Sequence, residues 1–484
     1  MFIRTYFLRA ISIALPFLLL AIKPAGAQSS DSDRIKKLEQ AVEQLQKQNA
    51  ELKQEVRSLK KEGIVAAQPT GKSRTVVSYD GKTYVEKSVP VEENAPAYVV
   101  PAGPEYKLTL GGFIQANAEG GDVSAFEGRF GLSALKDRFR LRRARISLTG
   151  DYAEQFDFKI EGDFEQSDGS LTAISKIDLK TGKVTTVTNS NRTWFSGTDI
   201  FVNWHAIPEA NIKIGQWKAP FGLEQLTPDT RLVFPERSLP TGAITPDRQI
   251  GVQVWGKPLT NIWPEQKDLV TYYAGVFNGN GRNFNNNDNN NFMWVGRLEL
   301  QPFKGKLLGQ DASLRLGANA LNSRDDAGTV ISSTANLKVN ADGSLSAFTL
   351  PGAAERTAWG LDAWFNLGPL DIIGEYLSED VNGRTVAGVA PGFNDFSPHG
   401  WYVQGSYFIT KKLQAAVRWE ELEPAQVAND NIHSITAGLN YYIHGDAIKL
   451  MADYVHTWSD FRSANPQFGD DNFDEVILRM QVMF

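Results

Sequence analysis

From Tyr106 to its last residue, Phe484, the sequence consists of short segments in which apolar and polar residues alternate. A period of two with one apolar face describes a β-strand. In the last segment, 474–484, the apolar face carries Val476, Leu478, Met480 and Val482. A closing strand that ends on an interfacial aromatic residue is what a transmembrane barrel needs, so Val482 and Phe484 are interpreted as a barrel-terminal signal. Taken alone, this segment fits the end of a soluble β-sandwich equally well.

Sixteen such segments can be delimited, and an even number of strands is typical of outer-membrane barrels. They lie at 106–119, 138–151, 155–166, 198–206, 210–218, 249–258, 270–278, 291–303, 312–323, 355–366, 369–380, 399–410, 412–422, 431–443, 447–458 and 473–484. Short connections such as 152–154 and 367–368 alternate with long ones such as 120–137 and 324–354. This sorting indicates a barrel, because a soluble sandwich has no reason to place short turns on one side and long loops on the other.

The polar faces of the candidate strands are charged. In 312–323, the apolar Leu314 and Leu316 alternate with Ser313 and Arg315. Such faces suit a water-filled lumen, because the charges would be wasted against a protein core. The predicted fold class is therefore all-β: a 16-stranded antiparallel transmembrane β-barrel over residues 106–484, preceded by a short N-terminal coiled-coil helix.

Three further segments precede the predicted barrel. Residues 1–27 have the pattern of a signal peptide, since basic residues precede a short apolar run and small residues follow it. In 28–62, apolar residues recur at three-four spacing with Asn49 at one core position, which predicts a periplasmic coiled coil. Residues 63–105 predict a linker with a small hairpin around Asp80-Gly81.

Composition excludes several classes of function. The chain has no cysteine, so disulfides, thiolate metal sites and thiol catalysis are ruled out. Its formal net charge of -6 argues against a nucleic-acid partner. The five histidines lie in separate segments, with no zinc-protease pair and no nucleophile-elbow motif. We therefore predict no catalytic residue, no metal site and no cofactor, and we do not expect an enzyme.

The densest basic cluster lies at 138–149. Its apolar face changes parity between Arg142 and Arg143, which predicts a β-bulge that keeps every arginine off the lipid. The arginines concerned are Arg140, Arg142, Arg143 and Arg145. Two interpretations stay open. The arginines form a ladder that draws anions along the wall, or they are neutralised by carboxylates of the next strand, namely Asp157, Glu161 and Asp163.

The connection 219–248, after the fifth strand, is too apolar to be only solvated. Its large apolar side chains are Phe221, Leu223, Leu226, Leu232 and Phe234. We expect this loop to pack inside the barrel, narrow the pore and present Lys218, Arg231 and Arg237 at the constriction. The alternative is a lid on the extracellular rim or against a neighbouring subunit.

Four sequence blocks resemble the phosphate-selective porin O and P family. They are Arg-Leu-Arg-Arg-Ala-Arg-Ile at 140–146, Gly-Gln-Trp-Lys-Ala-Pro-Phe-Gly-Leu-Glu-Gln-Leu-Thr at 215–227, Pro-Glu-Arg-Ser-Leu at 235–239 and Phe-Asn-Gly at 277–279. The resemblance implies a sixteen-stranded trimeric outer-membrane porin with an inward third loop. It also implies that pore-lining cations stand at Arg140, Arg142, Arg143, Arg145, Lys218 and Arg237. Four more candidates follow only from alternation or loop position: Lys159, Lys213, Arg231 and Arg315.

The predicted function is passive, anion-selective diffusion through the outer membrane of a Gram-negative bacterium, in a water-filled barrel narrowed by the loop at about 219–248. The predicted partners are small anions such as phosphate, outer-membrane lipid, further copies of the chain in a homotrimer, and the cell wall through the coiled coil. Acidic residues such as Glu299, Glu420, Asp453 and Glu475 leave a general or differently selective pore open. A structural or adhesive barrel and a barrel enzyme are the alternatives without transport.

Overall fold

The computed structural model describes residues 106–122, 137–165, 195–332 and 337–484, together with the backbone of five short strands at 73–79, 84–90, 98–101, 171–177 and 184–190. The predicted signal peptide at 1–27 and coiled coil at 28–62 lie outside the described residues. In the predicted linker, Ser73–Tyr79 pairs with Tyr84–Pro90 as an antiparallel hairpin.

Within the described residues, sixteen antiparallel strands follow one another around a closed barrel. They are β1 (Tyr106–Gly121), β2 (Arg138–Tyr152), β3 (Phe156–Asp163), β4 (Ser196–Trp204), β5 (Asn211–Lys218), β6 (Arg248–Gly256), β7 (Val270–Phe277), β8 (Met293–Leu307), β9 (Gln310–Asp325), β10 (Ala354–Leu367), β11 (Leu370–Gly383), β12 (His399–Phe408), β13 (Leu413–Glu423), β14 (Ile432–His444), β15 (Ile448–Ser459) and β16 (Asn472–Met483). The predicted all-β, sixteen-stranded antiparallel barrel is confirmed.

The strands form where the alternation predicts them, because each segment has one apolar and one polar face. A clear difference is at the end of β8, which continues to Leu307 instead of ending at 303. There the register with β9 shifts between Leu300 and Phe303. An extra residue in a strand interrupts the period of two, so the sequence pattern loses the strand at the bulge although the strand continues.

The seam between β16 and β1 closes the barrel. Arg479 of β16 stands opposite Asn117 of β1, and the pairing continues to Met483. The last residue completes the seam, since Phe484 N donates to Gly112 O at 3.0 Å and Gly112 N donates to Phe484 O at 2.9 Å. The terminal position of Phe484 therefore has a structural consequence, because its backbone joins the last strand to the first.

The two ends of the barrel differ in their connections. One, the short-turn end, has tight turns such as Ala153–Gln155 and Gly368–Pro369. Ala153 and Gly368 adopt positive φ angles of 51° and 55°, which such sharp reversals require. The other, the long-loop end, has connections such as 219–247 and 326–353 between its strands.

Apolar side chains cover the outside of the barrel. Leu478 is 50% exposed and Leu316 is 39% exposed, although both lie within well-paired strands. On the opposite face, Arg479 next to Leu478 and Asn319 three residues after Leu316 are buried inside. Large exposed apolar residues alternating with buried polar ones reverse the pattern of a soluble protein, and they form the exterior band of a membrane barrel.

The predicted bulge in β2 is confirmed. Gln115 of β1 pairs with Arg143, and the next residue, Ala116, pairs with Leu141, so Arg142 is the extra residue. The side chain of Leu141 is 45% exposed on the outside, whereas Arg142 and Arg143 are both buried inside. The bulge thus turns two consecutive arginines toward the interior.

The interior at the long-loop end is partly apolar. The loop 219–247 contains the helices α1 (Leu223–Leu226) and α2 (Leu239–Ile244), and α3 (Asp460–Ala464) follows β15. The helices of the described residues all lack the length and apolar character that a membrane span requires. A buried cluster joins loop and wall side chains, among them Phe221, Ile244, Met293, Phe348, Leu377, Phe396 and Leu422. Side-chain alternation predicts charged residues on the inner face of the strands. At the long-loop end, this inner face also carries apolar residues that pack against the loops.

We predict that arginine at Leu478 destabilises the barrel far more than arginine at Asn322. Leu478 lies mid-strand on the outer face, whereas Asn322 lies on the same face near the end of β9. A charge at the bilayer midplane costs about 2–4 kcal/mol, and one near the interface costs about 0–1 kcal/mol. Urea unfolding of Leu478→Arg and Asn322→Arg in lipid vesicles measures the difference. Equal losses of stability in the two variants would contradict the exterior band.

Candidate functional site

The loop 219–247 enters the barrel and is bound first by the wall opposite β5. Gly222 N donates to Asn319 Oδ1 of β9 at 3.1 Å. Leu223 N and Glu224 N donate to the two carboxylate oxygens of Glu375 on β11, at 2.6 and 3.2 Å. Phe221 is fully buried beside these contacts. One inner carboxylate therefore satisfies the N–H groups at the start of α1, which have no partner within the helix.

The middle of the loop is bound by the three strands that precede the seam. Gln481 Nε2 of β16 donates to Thr230 O at 3.0 Å. Lys449 Nζ of β15 donates to Leu232 O at 3.0 Å. Asn440 Nδ2 of β14 donates to Val233 O at 2.8 Å. Because inward-facing side chains hold the loop backbone at three successive strands, the predicted inward path of this loop agrees with the structure.

Helix α2 is fixed against the far wall. Leu239 N at its start donates to Glu420 Oε2 of β13 at 2.8 Å. Ser238 caps the helix by accepting from Thr241 N at 3.4 Å. Glu420 is completely buried, so this carboxylate holds the loop and does not line open water.

Asp229 of the loop lies among four cationic side chains of the described residues. Its Oδ2 is 2.6 Å from Arg145 Nη1 and 3.5 Å from Arg143 Nε, both on β2. Its Oδ1 is 2.7 Å from Arg237 Nη1 of the same loop and 3.9 Å from Lys218 Nζ of β5. Asp229 thus brings together four of the ten cations that the sequence predicts for the anion pathway.

Glu236 forms a second junction between loop and wall. Its Oε1 is 2.8 Å from Arg142 Nε of β2 and 2.8 Å from Arg479 Nη2 of β16. Arg479 also donates to Pro235 O. Arg142, the extra residue of the β2 bulge, therefore binds the loop at Glu236. Arg479, from β16 across the seam, binds the same carboxylate.

These residues form a positively charged group, which we call the cation cluster: Arg142, Arg143, Arg145, Lys218, Arg237 and Arg479. Three carboxylates lie within 3.5 Å of its members, namely Asp163, Asp229 and Glu236. Glu161 and Glu165 approach only to 3.9 Å. Against the five carboxylates of the described residues within 4 Å, the cluster has six cationic groups, an excess of one positive charge.

The cluster keeps its loop carboxylates ionised. Burial alone raises the pKa of Asp229, but Arg143 and the other nearby cations hold that pKa well below its usual value. Burial likewise raises the pKa of Glu236. Arg142 and Arg479 outweigh this effect, so the pKa of Glu236 lies below its usual range. Both groups carry a negative charge at neutral pH and well into the acid range.

The other predicted pathway residues lie outside the cluster. Arg140 is 3.5 Å from Glu165, and Lys159 is 2.7 Å from Glu161. Lys213 and Arg315 lie over aromatic rings, those of Phe201 at 4.1 Å and Trp364 at 4.0 Å. The side chain of Arg231 is exposed and makes no ion pair with a described residue.

The closest carboxylate partners of the cluster are not apparent from the sequence. Of Asp157, Glu161 and Asp163, predicted as neutralising groups, only Asp163 binds an arginine closely, at 2.8 Å from Arg145 Nε. Asp157 accepts from Asn203 Nδ2 at 2.7 Å instead. Asp229 and Glu236 were not identified, because nothing in the local sequence marks a loop acid as the partner of a distant strand. Alternation placed Arg479 on the inner face, and only the closed seam brings it beside β2.

Comparisons with known proteins bear on the whole barrel. The family model described as "Phosphate-selective porin O and P" matches residues 119–484. Porin O of Pseudomonas aeruginosa is 24% identical over 432 residues, covering 78% of this chain and 89% of that protein. The outer membrane channel DcaP of Acinetobacter baumannii has a TM-score of 0.48 at 13% identity and covers 80% of this chain and 100% of its own. Salmonella typhi OmpF in complex with daunomycin has a TM-score of 0.49 at 13% identity, with the same coverage.

We predict that Glu236→Gln destabilises the barrel by about 3–5 kcal/mol at neutral pH, because it leaves buried arginines without their carboxylate. The pKa of Glu236 is lowered in the folded state, so its contribution is fully present above the unfolded value of about 4.3 and is lost as the pH falls toward the folded pKa. The difference between the wild-type and variant free energies of unfolding should therefore shrink below about pH 4.

Glu355→Gln is the matched control, because Glu355 pairs with Arg324 at 3.5 Å where both side chains are exposed. An exposed pair contributes about 0–1 kcal/mol. Urea titrations from pH 7 to pH 3 compare the three proteins. A loss in Glu236→Gln no larger than in the control, or a difference that grows on acidification, would exclude Glu236 as an ionised clamp.

Proposed function

Because the chain belongs to the phosphate-selective porin O and P family, we propose that it is an outer-membrane channel for the passive diffusion of small anions, with phosphate-like oxyanions as preferred solutes. The observation that carries this proposal is the cation cluster. It lies on β2, β5 and β16 where the loop 219–247 crosses the interior, and its cations outnumber the carboxylates around them.

The chemistry of the cluster suits oxyanions. Arginine presents a planar fork of N–H donors that matches the paired oxygens of a phosphate or carboxylate, and it stays charged at any physiological pH. Positive charge beside low-dielectric walls concentrates anions and repels cations. The cluster therefore attracts anions by its charge and favours oxyanions by the geometry of its N–H donors.

Three of the remaining cations extend the pathway along the same side of the barrel. Arg140 lies toward the long-loop end of β2, and Lys159 and Lys213 lie toward the short-turn ends of β3 and β5. Several sites of moderate strength in series allow an anion to enter and to leave, which a single tight site does not. The ladder of arginines and lysines supports passage along β2, β3 and β5.

The acidic residues of the wall do not favour a general pore over this proposal. Glu420 and Asp453 are buried, and Glu375 is held by the backbone of the loop. A carboxylate that is engaged in fixing the loop does not face a permeating ion. Of the acids that left the selectivity open in the sequence, Glu420 fixes the loop and Glu475 is buried, whereas Glu299 pairs with Arg297 at 2.8 Å.

A channel, and not an enzyme, is the function that the family supports. The homotrimer and the contact of residues 28–62 with the cell wall stay predictions from the sequence.

We predict that the triple variant Arg143→Ala, Arg145→Ala, Lys218→Ala loses anion selectivity. Removing three cations leaves the acidic groups around Asp229 in excess, so the local potential becomes negative. The measurement is the reversal potential of purified protein in a planar bilayer under a salt gradient, with chloride and then with phosphate. The wild-type potential should have the sign of anion selectivity, and that of the variant should move to zero or to the cation side.

A control of equal charge is Lys304→Ala, Lys306→Ala, Arg324→Ala, because these three side chains are exposed and lie outside the cluster. It should keep the wild-type sign. Anion selectivity that survives in the cluster variant would refute the role of these residues. Failure of the wild type to produce conductance steps would refute the channel itself.

A further inference from the structure

The carboxylate of Asp229 has the surroundings of a bound anion. Arg145 and Arg143 contact one oxygen, and Arg237 and Lys218 approach the other, from two strands and the loop. Building on the proposed function, we propose that Asp229 is a tethered internal anion that occupies the oxyanion position of the cation cluster and sets how tightly permeating anions bind. It is then a specificity-determining residue of the channel.

The geometry is one that a free oxyanion could share. Arg145 Nη1 donates a charge-assisted hydrogen bond to one oxygen at 2.6 Å. Arg237 Nη1 forms an ion pair at 2.7 Å with the other oxygen, Oδ1, which accepts no hydrogen bond from the described residues. Phosphate offers the same pair of oxygens and a further charge. Donors that converge on a carboxylate in this way are equally able to hold a phosphate if the carboxylate is absent.

The loop has anchors other than the carboxylate of Asp229. The backbone carbonyls that follow it, at Thr230, Leu232 and Val233, each accept a hydrogen bond from the wall. Glu236 supplies a separate ionic anchor with its own two arginines. The loop therefore has anchors on β2, β14, β15 and β16 that do not involve the carboxylate of Asp229.

The position of Asp229 in the loop also suits a carboxylate that competes with permeating anions. Asp229 begins a single 3₁₀ turn, Asp229–Arg231, that directly follows Pro228. A carboxylate on a loop reaches the cluster without adding a charge to the strands themselves. Its presence lowers the net positive charge, so that a permeating anion binds weakly enough to leave on the far side.

The test uses full-length protein in planar bilayers, with chloride as the current carrier and inorganic phosphate as the blocking ion. The quantity measured is the phosphate concentration that halves the chloride conductance. The variants are Asp229→Ala, Asp229→Ser and the charge-retaining Asp229→Glu. The control is Asp371→Asn, which removes one charge from the inner wall of β11, where Asp371 accepts from Trp364 Nε1 at 2.8 Å, outside the cluster.

We expect the half-blocking phosphate concentration to fall at least tenfold in Asp229→Ala and Asp229→Ser. It should stay within twofold of wild type in Asp229→Glu and in Asp371→Asn. An unchanged or higher value in the alanine and serine variants, with anion selectivity retained, overturns the proposal. An equal fall in Asp371→Asn also overturns it, because the effect is then one of overall charge.

Failure to form channels in both Asp229→Ala and Asp229→Ser, with Asp229→Glu intact, overturns the proposal as well, since the carboxylate then serves folding. Failure of the proposed function is recognised separately. It appears as a cation-selective reversal potential of the wild type, measured before any variant is compared.

Discussion

Backbone hydrogen bonding in apolar surroundings is the constraint on which this structure depends. In a hydrocarbon environment each unpaired N–H or C=O costs several kcal/mol, so a sheet in a membrane must have no free edge. The chain satisfies this by pairing β16 with β1 up to the backbone of Phe484 and Gly112. Closure has a second consequence: it separates an outer face that must be apolar from an inner face that is cut off from lipid. Leu478 is accordingly exposed on the outer face, and the next residue, Arg479, is buried on the inner face.

The enclosed interior then determines what the long loop does. Apolar loop residues such as Phe221 and Ile244 join wall residues such as Met293 and Leu377 in a buried cluster, which stabilises the loop through area removed from water. Charged loop residues meet the opposite side of the barrel. Buried charges are tolerated only when they are paired, because desolvating a lone ion costs more than its remaining interactions return. The same loop therefore closes part of the interior by packing and shapes the electrostatics of the remainder.

Much of the barrel followed from one-dimensional patterns. The sixteen strands of the barrel, the sorting of turns and loops, and the bulge at Arg142 are local consequences of side-chain alternation. The inward loop followed from its apolar content. The groups that complete the cation cluster did not, because Asp229 lies 84 residues from Arg145 and Glu236 lies 243 residues from Arg479. Periodicity tells which face a residue occupies, but it does not tell which distant residue shares that face.

By itself the sequence determined the class of fold, the two faces of each strand and the residues that carry positive charge into the interior, since these depend on the spacing of neighbours along one strand. Only the tertiary structure decided the balance of charge within the cluster. That balance depends on contacts of a few ångströms between segments far apart in the chain, and electrostatic interaction falls with distance and changes sign with the partner. The closed seam brings Arg479 close to the arginines of β2. The inward loop adds the carboxylates of Asp229 and Glu236 to the same cluster.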